Sequence, residues 1–335
     1  MNNIFDFKLF GTYRTTLMGI AIIGVFIAHW LHSSNIACNS VLYNSLYFFT
    51  KLAFTPAFLF LSGYGLYYSM EKEPSWISFY KKRILRLYIP YVLISFPLLL
   101  LLNRLNHNGV LDLFEEITTL KYWISGNFYG MWYVSLSVLL YLFYPIIHVV
   151  LTSFRTEHIQ YILFFVFVCI SLELLKKNNL DYYNLVIHTV TQVPAFVLGV
   201  YSASLSKKKE TRNIVGNMIY IILLLCSLYL KQANPSYFSI LSRVTIYMPM
   251  ICVFFSLMSD YYAIKALKKL LDWFGKYTLE LYILHLLLYN IFISLDCLHI
   301  SELYKITLAE IIAIMLCSNV KKQIYRSIEF LSVKK

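Results

Sequence analysis

The stretch from Arg14 to His32, RTTLMGIAIIGVFIAHWLH, constrains the fold more than any other part of the sequence. It begins with a cation and continues as an almost unbroken apolar run, which requires a hydrocarbon-like environment along most of its length. Similar runs recur, and we expect about ten membrane-spanning helices, at residues 15–33, 46–69, 87–103, 132–151, 159–175, 183–202, 213–231, 238–258, 277–295 and 304–320. The sequence therefore predicts an all-α, polytopic membrane helix bundle.

Composition supports the same class of protein. The chain has 335 residues, of which 59% are hydrophobic and only 14% charged, and its mean hydropathy is +0.64. A soluble domain is far more polar. We expect a single membrane domain over residues 1–335, with no appended soluble domain.

The positions of lysine and arginine predict the orientation. If the N-terminus is inside, the inner segments carry 21 of the 29 Lys and Arg residues. The positive-inside rule then places both termini in the cytoplasm. This asymmetry also accounts for the net charge of +12, so we expect no nucleic-acid partner. The six cysteines have no paired metal spacing, and we expect no metal.

His29 lies well inside the first predicted span, and His285 lies about halfway along the ninth. An ionisable side chain at this depth is costly unless it faces a protein interior or a wet cavity, and it therefore marks a candidate functional site. The alternative is a neutral histidine that only bonds a neighbouring helix. Tyr282 shares a helical face with His285, one turn away.

Glu280 lies in the first turns of the ninth span, in the stretch FGKYTLELYILH. It is a candidate catalytic carboxylate. A structural pairing with Lys276, four residues earlier, is the alternative interpretation.

A basic cluster follows the second span, in the stretch SWISFYKKRILRLYIPY. Lys81, Lys82, Arg83 and Arg86 lie beside the membrane, and the two arginines are three residues apart, on one face of a helix. Paired guanidinium groups suit a phosphate-rich ligand held bidentately. The alternative is a topogenic cluster that contacts anionic lipid headgroups.

Six stretches, in order, resemble the acyltransferase-3 family of integral membrane O-acyltransferases. They are GIAIIGVFIAH in the first span, FLFLSGYGLYYS at 58–69, KKRILRLYIPY at 81–91, MWYVSLSVLLYLFYP at 131–145, VPAFVLG at 193–199 and GKYTLELYILH at 275–285. They run over nearly the whole chain. The family moves acetyl or other acyl groups from cytoplasmic acyl-coenzyme A onto sugars of cell-surface glycans.

The resemblance implies a role for each candidate residue. His29 corresponds to the histidine taken as the general base, with His285, Tyr282 and Glu280 as further catalytic candidates. Acetyl-CoA is the implied co-substrate, with its phosphates on the basic cluster and on Arg14. The implied acceptor is a saccharide, either free or linked to a polyprenyl lipid, which would stack on Trp132 and Tyr133. An aromatic belt at the membrane interface is the alternative for that pair. The implied location is a bacterial cytoplasmic membrane.

The sequence departs from the family pattern in two places. The family usually carries an arginine or lysine that is separated from the histidine by ten intervening residues. Here that position is Met18, and the nearest cation is Arg14. The branch with a fused esterase-like domain carries Val-Glu-Glu-Gln in the helix that begins with Trp132, where this chain has LSVL at 136–139. The chain therefore resembles the stand-alone branch, whose members acetylate surface polysaccharides.

Three other functions fit parts of the sequence. A transporter or flippase for a lipid-linked saccharide also uses buried His and Glu residues, although we find no inverted repeat. A membrane glycosyltransferase requires an acidic residue in the first outer loop, where SSNIACNSVLYNS at 33–45 has none. A catalytically silent relative is the third alternative, because of Met18.

Overall fold

A computed structural model describes residues 6–34, 40–52, 54–126, 129–152, 157–207, 218, 221–222, 225, 243–295 and 301–333. Within these ranges the regular elements are helices, and none is a strand. This confirms the predicted all-α class. The predicted span at 213–231 lies almost entirely outside the described residues.

Sixteen α-helices have described bounds. They are α1 Lys8–Thr12, α2 Arg14–Ser33, α3 Val41–Leu52, α4 Phe54–Lys72, α5 Trp76–Arg83, α6 Ile89–Leu105, α7 Val110–Ile117, α8 Leu120–Ser125, α9 Trp132–Thr152, α10 Glu157–Asn178, α11 Leu180–Val190, α12 Val193–Ser206, α13 Met248–Leu257, α14 Tyr262–Lys276, α15 Thr278–Ser294 and α16 Glu302–Val333. Two five-residue π-helical segments, Ile84–Tyr88 and Arg243–Tyr247, lead into α6 and α13.

The described helices support a polytopic membrane protein. Six helical stretches are individually long and apolar enough to cross a bilayer, and a seventh joins them if α14 and α15 count as one broken span. The six are Arg14–Ser33, Val41–Lys72, Trp76–Leu105, Trp132–Thr152, His158–Asn178 and Glu302–Glu329. Val193–Ser206 and Val244–Leu257 are shorter apolar helices that overlap two other predicted spans. The total of ten stays a prediction.

The helices group into two compact units. The first comprises Met1–Val25, Phe48–Trp76 and Leu142–Lys276, and the second comprises Phe26–Tyr47, Ile77–Tyr141 and Tyr277–Lys335. The long helix α2 contributes its first half to one unit and its second half to the other. The predicted single domain over the whole chain stays a prediction.

In the first unit, α12 packs against α4 at backbone contact distance. A Cβ atom on Gly199 would lie 1.9 Å from the carbonyl oxygen of Phe60, and one on Gly63 would lie 2.3 Å from that of Phe196. Only glycine permits this approach. From Pro194 to Ser206 every residue of α12 is buried, as expected for a helix that is apolar on all sides.

The first half of α2 packs on α14 in the same way. A Cβ on Gly19 would lie 1.9 Å from the carbonyl oxygen of Leu271, and one on Gly275 would lie 1.9 Å from that of Thr15. The Thr16 hydroxyl donates a hydrogen bond to Asp272 Oδ1 at 2.5 Å. These contacts fix α14 beside the N-terminal end of α2.

In the second unit, α15 packs against α16 and α6. Its residues from Glu280 to Leu287 are all buried. The histidine and tyrosine of this stretch are therefore held inside a helical core, and this core positions the candidate site.

Residues 104–131, between the predicted spans 87–103 and 132–151, contain the short helices α7 and α8. Helix α7 exposes its apolar residues, with Val110 86% and Phe114 59% accessible, while Glu116 is buried. Exposed apolar side chains beside a buried acid are the reverse of a helix on a soluble protein. This arrangement fits an interfacial segment, whose apolar face lies in the membrane boundary.

Candidate active site

His285 is completely buried, and one hydrogen bond fixes the tautomer of its neutral ring. Its Nδ1 lies 2.8 Å from the Leu281 carbonyl oxygen. Because a carbonyl only accepts, Nδ1 carries the hydrogen and Nε2 carries the lone pair. Nε2 is buried without a hydrogen-bond partner in the described part of the chain. An unsatisfied buried acceptor is uncommon, and it makes His285 a candidate functional residue.

His29 lies beside His285. The two ring centroids are 5.5 Å apart, and the Phe26 ring packs 4.7 Å from the His285 ring. His29 is half-buried and forms no hydrogen bond to any described residue. The structure thus brings together the two membrane-embedded histidines that the sequence singled out, one from α2 and one from α15.

An aromatic row extends from this pair towards the start of α9. Tyr282 lies 5.9 Å from His285, Tyr133 lies 5.5 Å from Tyr282, and Trp132 lies 6.4 Å from Tyr133, all measured between ring centroids. The Tyr282 hydroxyl donates to the carbonyl of Gly130 at 2.9 Å. Three of the predicted catalytic residues, His29, His285 and Tyr282, therefore form one continuous cluster with the predicted sugar-stacking pair.

Sequence reasoning missed Asn290, which supports the same turn. Its amide donates to the carbonyls of Leu286 at 2.8 Å and Tyr129 at 3.4 Å. Tyr282, Leu286 and Asn290 are each four residues apart on α15, so one helical face holds the turn before α9. In the sequence, the signal for this role is a polar residue eight positions after Tyr282, on the same helical face.

Glu280 forms an ion pair with α16. Its carboxylate lies 3.3 Å from Lys321 Nζ, and Glu280 is 4% exposed. The predicted pairing with Lys276 is wrong, because residue 280 points towards α16 and the cation comes from 41 positions later in the chain. The geometry gives Glu280 a structural partner; its predicted catalytic role stays a prediction.

The basic cluster spans the end of α5 and a π-helical segment. Pro90, near the start of α6, has no N–H to donate to the carbonyl of Arg86. The backbone before it forms a wider, π-helical turn, in which the Ile89 N–H donates to the Ile84 carbonyl five residues earlier. Such π-bulges occur frequently at functional sites. Because the turn holds more than 3.6 residues, Arg83 and Arg86 diverge more than α-helical spacing predicts.

The two arginines differ in their environment. The Arg83 guanidinium lies 5.2 Å from the Phe79 ring centre and 5.9 Å from that of Tyr141, and these cation–π contacts orient it. Arg86 and Lys81 are exposed, and Lys82 is half-buried. Arg83 is thus the one held in position, while the others remain accessible.

Arg14, in the first unit, lines a separate cavity. Its Nε donates to the Leu61 carbonyl at 3.4 Å. A Cβ atom on Gly65 would lie 3.3 Å from the nearest guanidinium nitrogen of Arg14, so the glycine leaves room for this side chain. The cavity has a volume of about 530 Å³ and is lined by Lys8, Gly11, Thr12, Arg14, Tyr64, Gly65 and Tyr68. Two cations and no carboxylate make this cavity suited to an anion.

Glu116 of α7 is a buried carboxyl that sequence reasoning also missed. It is 1% exposed, and Oε2 accepts a hydrogen bond from the Asn103 amide at 3.1 Å. The Tyr91 hydroxyl donates to its backbone carbonyl at 2.6 Å. Burial raises the pKa of Glu116 to about 7, although Lys121 acts in the opposite direction.

This raised pKa predicts a pH-dependent attachment of α7. A folded-state pKa above the ordinary 4.5 means that the docked segment favours the protonated acid, so docking weakens as pH rises through about 7. Hydrogen–deuterium exchange of residues 110–125, corrected for intrinsic rates, should be faster at pH 8 than at pH 5. Glu116→Gln should remove the difference, and Glu115→Gln should keep it. The same pH dependence in Glu116→Gln would contradict this account.

Comparison with known proteins decides the family. The model of a family described as an acyltransferase domain, acyltransferase-3, matches residues 17–318. The chain belongs to the acyltransferase-3 family. The match runs from the first turn of α2 to the middle of α16 and includes His29, His285 and the basic cluster. No curated protein and no solved structure matched the chain.

Membership in the acyltransferase-3 family, together with the long apolar helices, supports a multi-pass membrane acyltransferase. Among the described residues there is no group of three or more His, Cys, Asp or Glu side chains arranged to hold a metal. The cluster around His29 and His285 offers imidazole and phenol groups, and the basic cluster offers guanidinium groups.

Proposed function

We propose that the protein is an O-acetyltransferase that moves an acetyl group from cytoplasmic acetyl-CoA to a hydroxyl of a bacterial cell-surface glycan. The acceptor is of the capsule, O-antigen or exopolysaccharide type. The observation that carries the proposal is the pairing of His29 with His285 inside a chain of the acyltransferase-3 family. Two adjacent imidazoles, one with a fixed tautomer, supply what hydroxyl acylation requires, namely a base of defined orientation.

His29 is the general base in this proposal. A neutral imidazole has one acceptor and one donor nitrogen. The free lone pair of His285 Nε2 faces no other described partner, and it is the acceptor available to the N–H of His29 when the rings approach. His29 then keeps its second nitrogen as a lone pair directed at the acceptor hydroxyl. His285 acts through His29 and is a positioning residue.

The transfer step is balanced in atoms and protons. The sugar hydroxyl oxygen attacks the thioester carbonyl carbon while His29 takes its proton. The carbon–sulfur bond breaks, the carbon–oxygen ester bond remains, and His29 returns the proton to the coenzyme A thiolate. Tyr282, whose hydroxyl is anchored on the Gly130 carbonyl, holds the wall of the site next to His285.

The depth of His29 suits transfer from one side of the membrane to the other. Along α2, the rise of about 1.5 Å per residue places His29 roughly 22 Å from Arg14, most of the way across a hydrocarbon core of about 30 Å. An acyl donor with its phosphates at the cytoplasmic face extends its pantetheine arm to this depth. The acceptor enters from the opposite side, where Trp132 and Tyr133 offer flat rings for stacking on a sugar.

The donor phosphates bind to the basic cluster in this proposal. Arg83, oriented by two aromatic rings, provides a bidentate fork, and Lys81, Lys82 and Arg86 add charge around it. The cavity of Arg14 and Lys8 belongs to the other unit and is a second anion site to be tested separately.

We expect Arg83→Ala to weaken acetyl-CoA binding by about tenfold or more, because hydrogen bonds to a charged group contribute about 1.5–3 kcal/mol. Arg83→Lys should restore only part of the affinity, since lysine keeps the charge but loses the fork. Calorimetric titration of the purified protein measures both. Arg104→Ala, at the other end of α6, is the control and should bind normally. Equal affinity in wild type and Arg83→Ala would leave only the topogenic interpretation of the cluster.

The acceptor class is tested in cells. NMR of the host's surface polysaccharide should show O-acetyl signals that disappear when the gene is deleted and return on complementation. An unchanged spectrum, with the protein present in the complemented strain, would exclude the glycan as acceptor.

A further inference from the structure

Helix α14, YAIKALKKLLDWFGK, presents three different faces. The first is buried and consists of Leu271 and Gly275, which contact the backbone of α2. Its close contacts leave no freedom to rotate about the helix axis. The directions of the other two faces are therefore fixed by the fold.

The second face is cationic. Lys265, Lys269 and Lys276 are all exposed, and their spacings of four and seven residues place them on one side of a helix. Lys268 lies apart from them, because its amine bonds Asp272 Oδ2 at 2.5 Å. Lys265 and Lys269 have no carboxylate partner among the described residues. Their charges are available to an anion from outside the chain.

The third face is apolar and lies next to the lysines. Tyr262, Ala266, Leu270 and Trp273 follow at spacings of four, four and three residues. Tyr262 is 87% exposed and Leu270 is 55% exposed. An exposed apolar stripe bordered by lysines is typical of a helix that lies in the plane of a membrane interface.

The position of α14 along the fold identifies the leaflet. Its contacts with Thr15, Thr16 and Gly19 place it at the first turns of α2, where that helix enters the apolar region. The positive-inside count assigns this end to the cytoplasm. The lysines therefore lie at headgroup level, while the apolar stripe is at the depth of the upper acyl chains.

We propose that α14 is a binding site for anionic phospholipid of the cytoplasmic leaflet. The lysines of the second face contact the headgroup phosphates, and the stripe of Tyr262, Leu270 and Trp273 contacts the acyl chains. Charge complementarity and the apolar stripe together select a lipid over a soluble phosphate or a nucleic acid, which need only the lysines. Because Gly19 and Gly275 lock α14 to α2, the lipid also steadies the inner half of the helix that carries His29.

Trp273 is a built-in reporter for this test. The full-length protein is reconstituted into phosphatidylcholine vesicles that contain either brominated phosphatidylglycerol or brominated phosphatidylcholine at equal mole fraction. Bromine quenches only nearby indoles. The chain has five tryptophans, and subtracting the signal of a Trp273→Phe variant isolates the contribution of Trp273. We expect stronger quenching by the brominated phosphatidylglycerol.

A matched pair of variants separates the lysines from general charge. Lys265→Gln combined with Lys269→Gln should lower the preference for phosphatidylglycerol by about fivefold for each lysine removed. Lys176→Gln combined with Lys177→Gln, exposed at the end of α10, should leave it unchanged. Equal quenching by the two lipids overturns the proposal, and so does a preference that survives the Lys265 and Lys269 changes. An unquenched Trp273 also overturns it, because the stripe would then face something other than lipid.

Discussion

Replacing His29 with alanine is expected to lower acyl transfer by roughly 100- to 10,000-fold, the range that a positioned general base contributes. The ring of His29 lies 5.5 Å from the buried ring of His285, and no other described imidazole occupies this position. Alanine removes the proton acceptor without adding bulk to the core. The measurement is the O-acetyl content of the surface glycan at matched protein level.

His32→Ala provides the control for this change. His32 lies in the last turn of the same helix, outside the cluster around His285, and its loss should leave O-acetylation near the wild-type level. Undiminished acetylation in His29→Ala would end the assignment of His29 as base. Equal losses in both variants would point to damage to α2 instead of to chemistry.

Gly199→Leu is expected to have the largest effect on folding. The Cβ atom alone would lie 1.9 Å from the Phe60 carbonyl oxygen, so α4 and α12 would have to separate along their whole contact. Overpacking of this kind costs about 3 kcal/mol or more, since backbone and not a flexible side chain must move. Thermal unfolding in detergent should show a clear drop in midpoint together with a lower yield of monodisperse protein.

Gly109→Ala is the matched glycine control. A Cβ there would meet only the Asp112 carboxylate at 3.7 Å, an ordinary contact, and the midpoint should stay near that of the wild type. A normal midpoint for Gly199→Leu would show that α4 and α12 do not pack as described.

Much of the fold followed from the sequence because membrane helices satisfy their own backbone hydrogen bonds. Long apolar runs such as Arg14–Ser33 and Trp132–Thr152 coincide with predicted spans within a residue or two. The predicted span 183–202 is instead two helices, α11 and α12, that break at Thr191 and Gln192. Pro194, near the start of α12, explains the break, because proline starts a helix more readily than it continues one.

The candidate site was predictable where a single residue was costly by itself. His29 and His285 stood out because an imidazole inside an apolar run needs a reason, and the structure brings them together. The partner of Glu280 was not predictable, since Lys321 comes from a different helix and only tertiary packing selects it. Glu116 was missed because an acid in a predicted loop does not reveal in sequence that tertiary packing buries its side chain.

The most direct test of acyl transfer through His29 is a reconstituted assay. Purified protein in vesicles receives radiolabelled acetyl-CoA and the surface glycan extracted from a strain that lacks the gene. We expect label on the glycan that mild alkali releases as acetate, with wild-type protein but not with His29→Ala. Glycan that stays unlabelled, or that crosses the vesicle membrane unmodified, would contradict it.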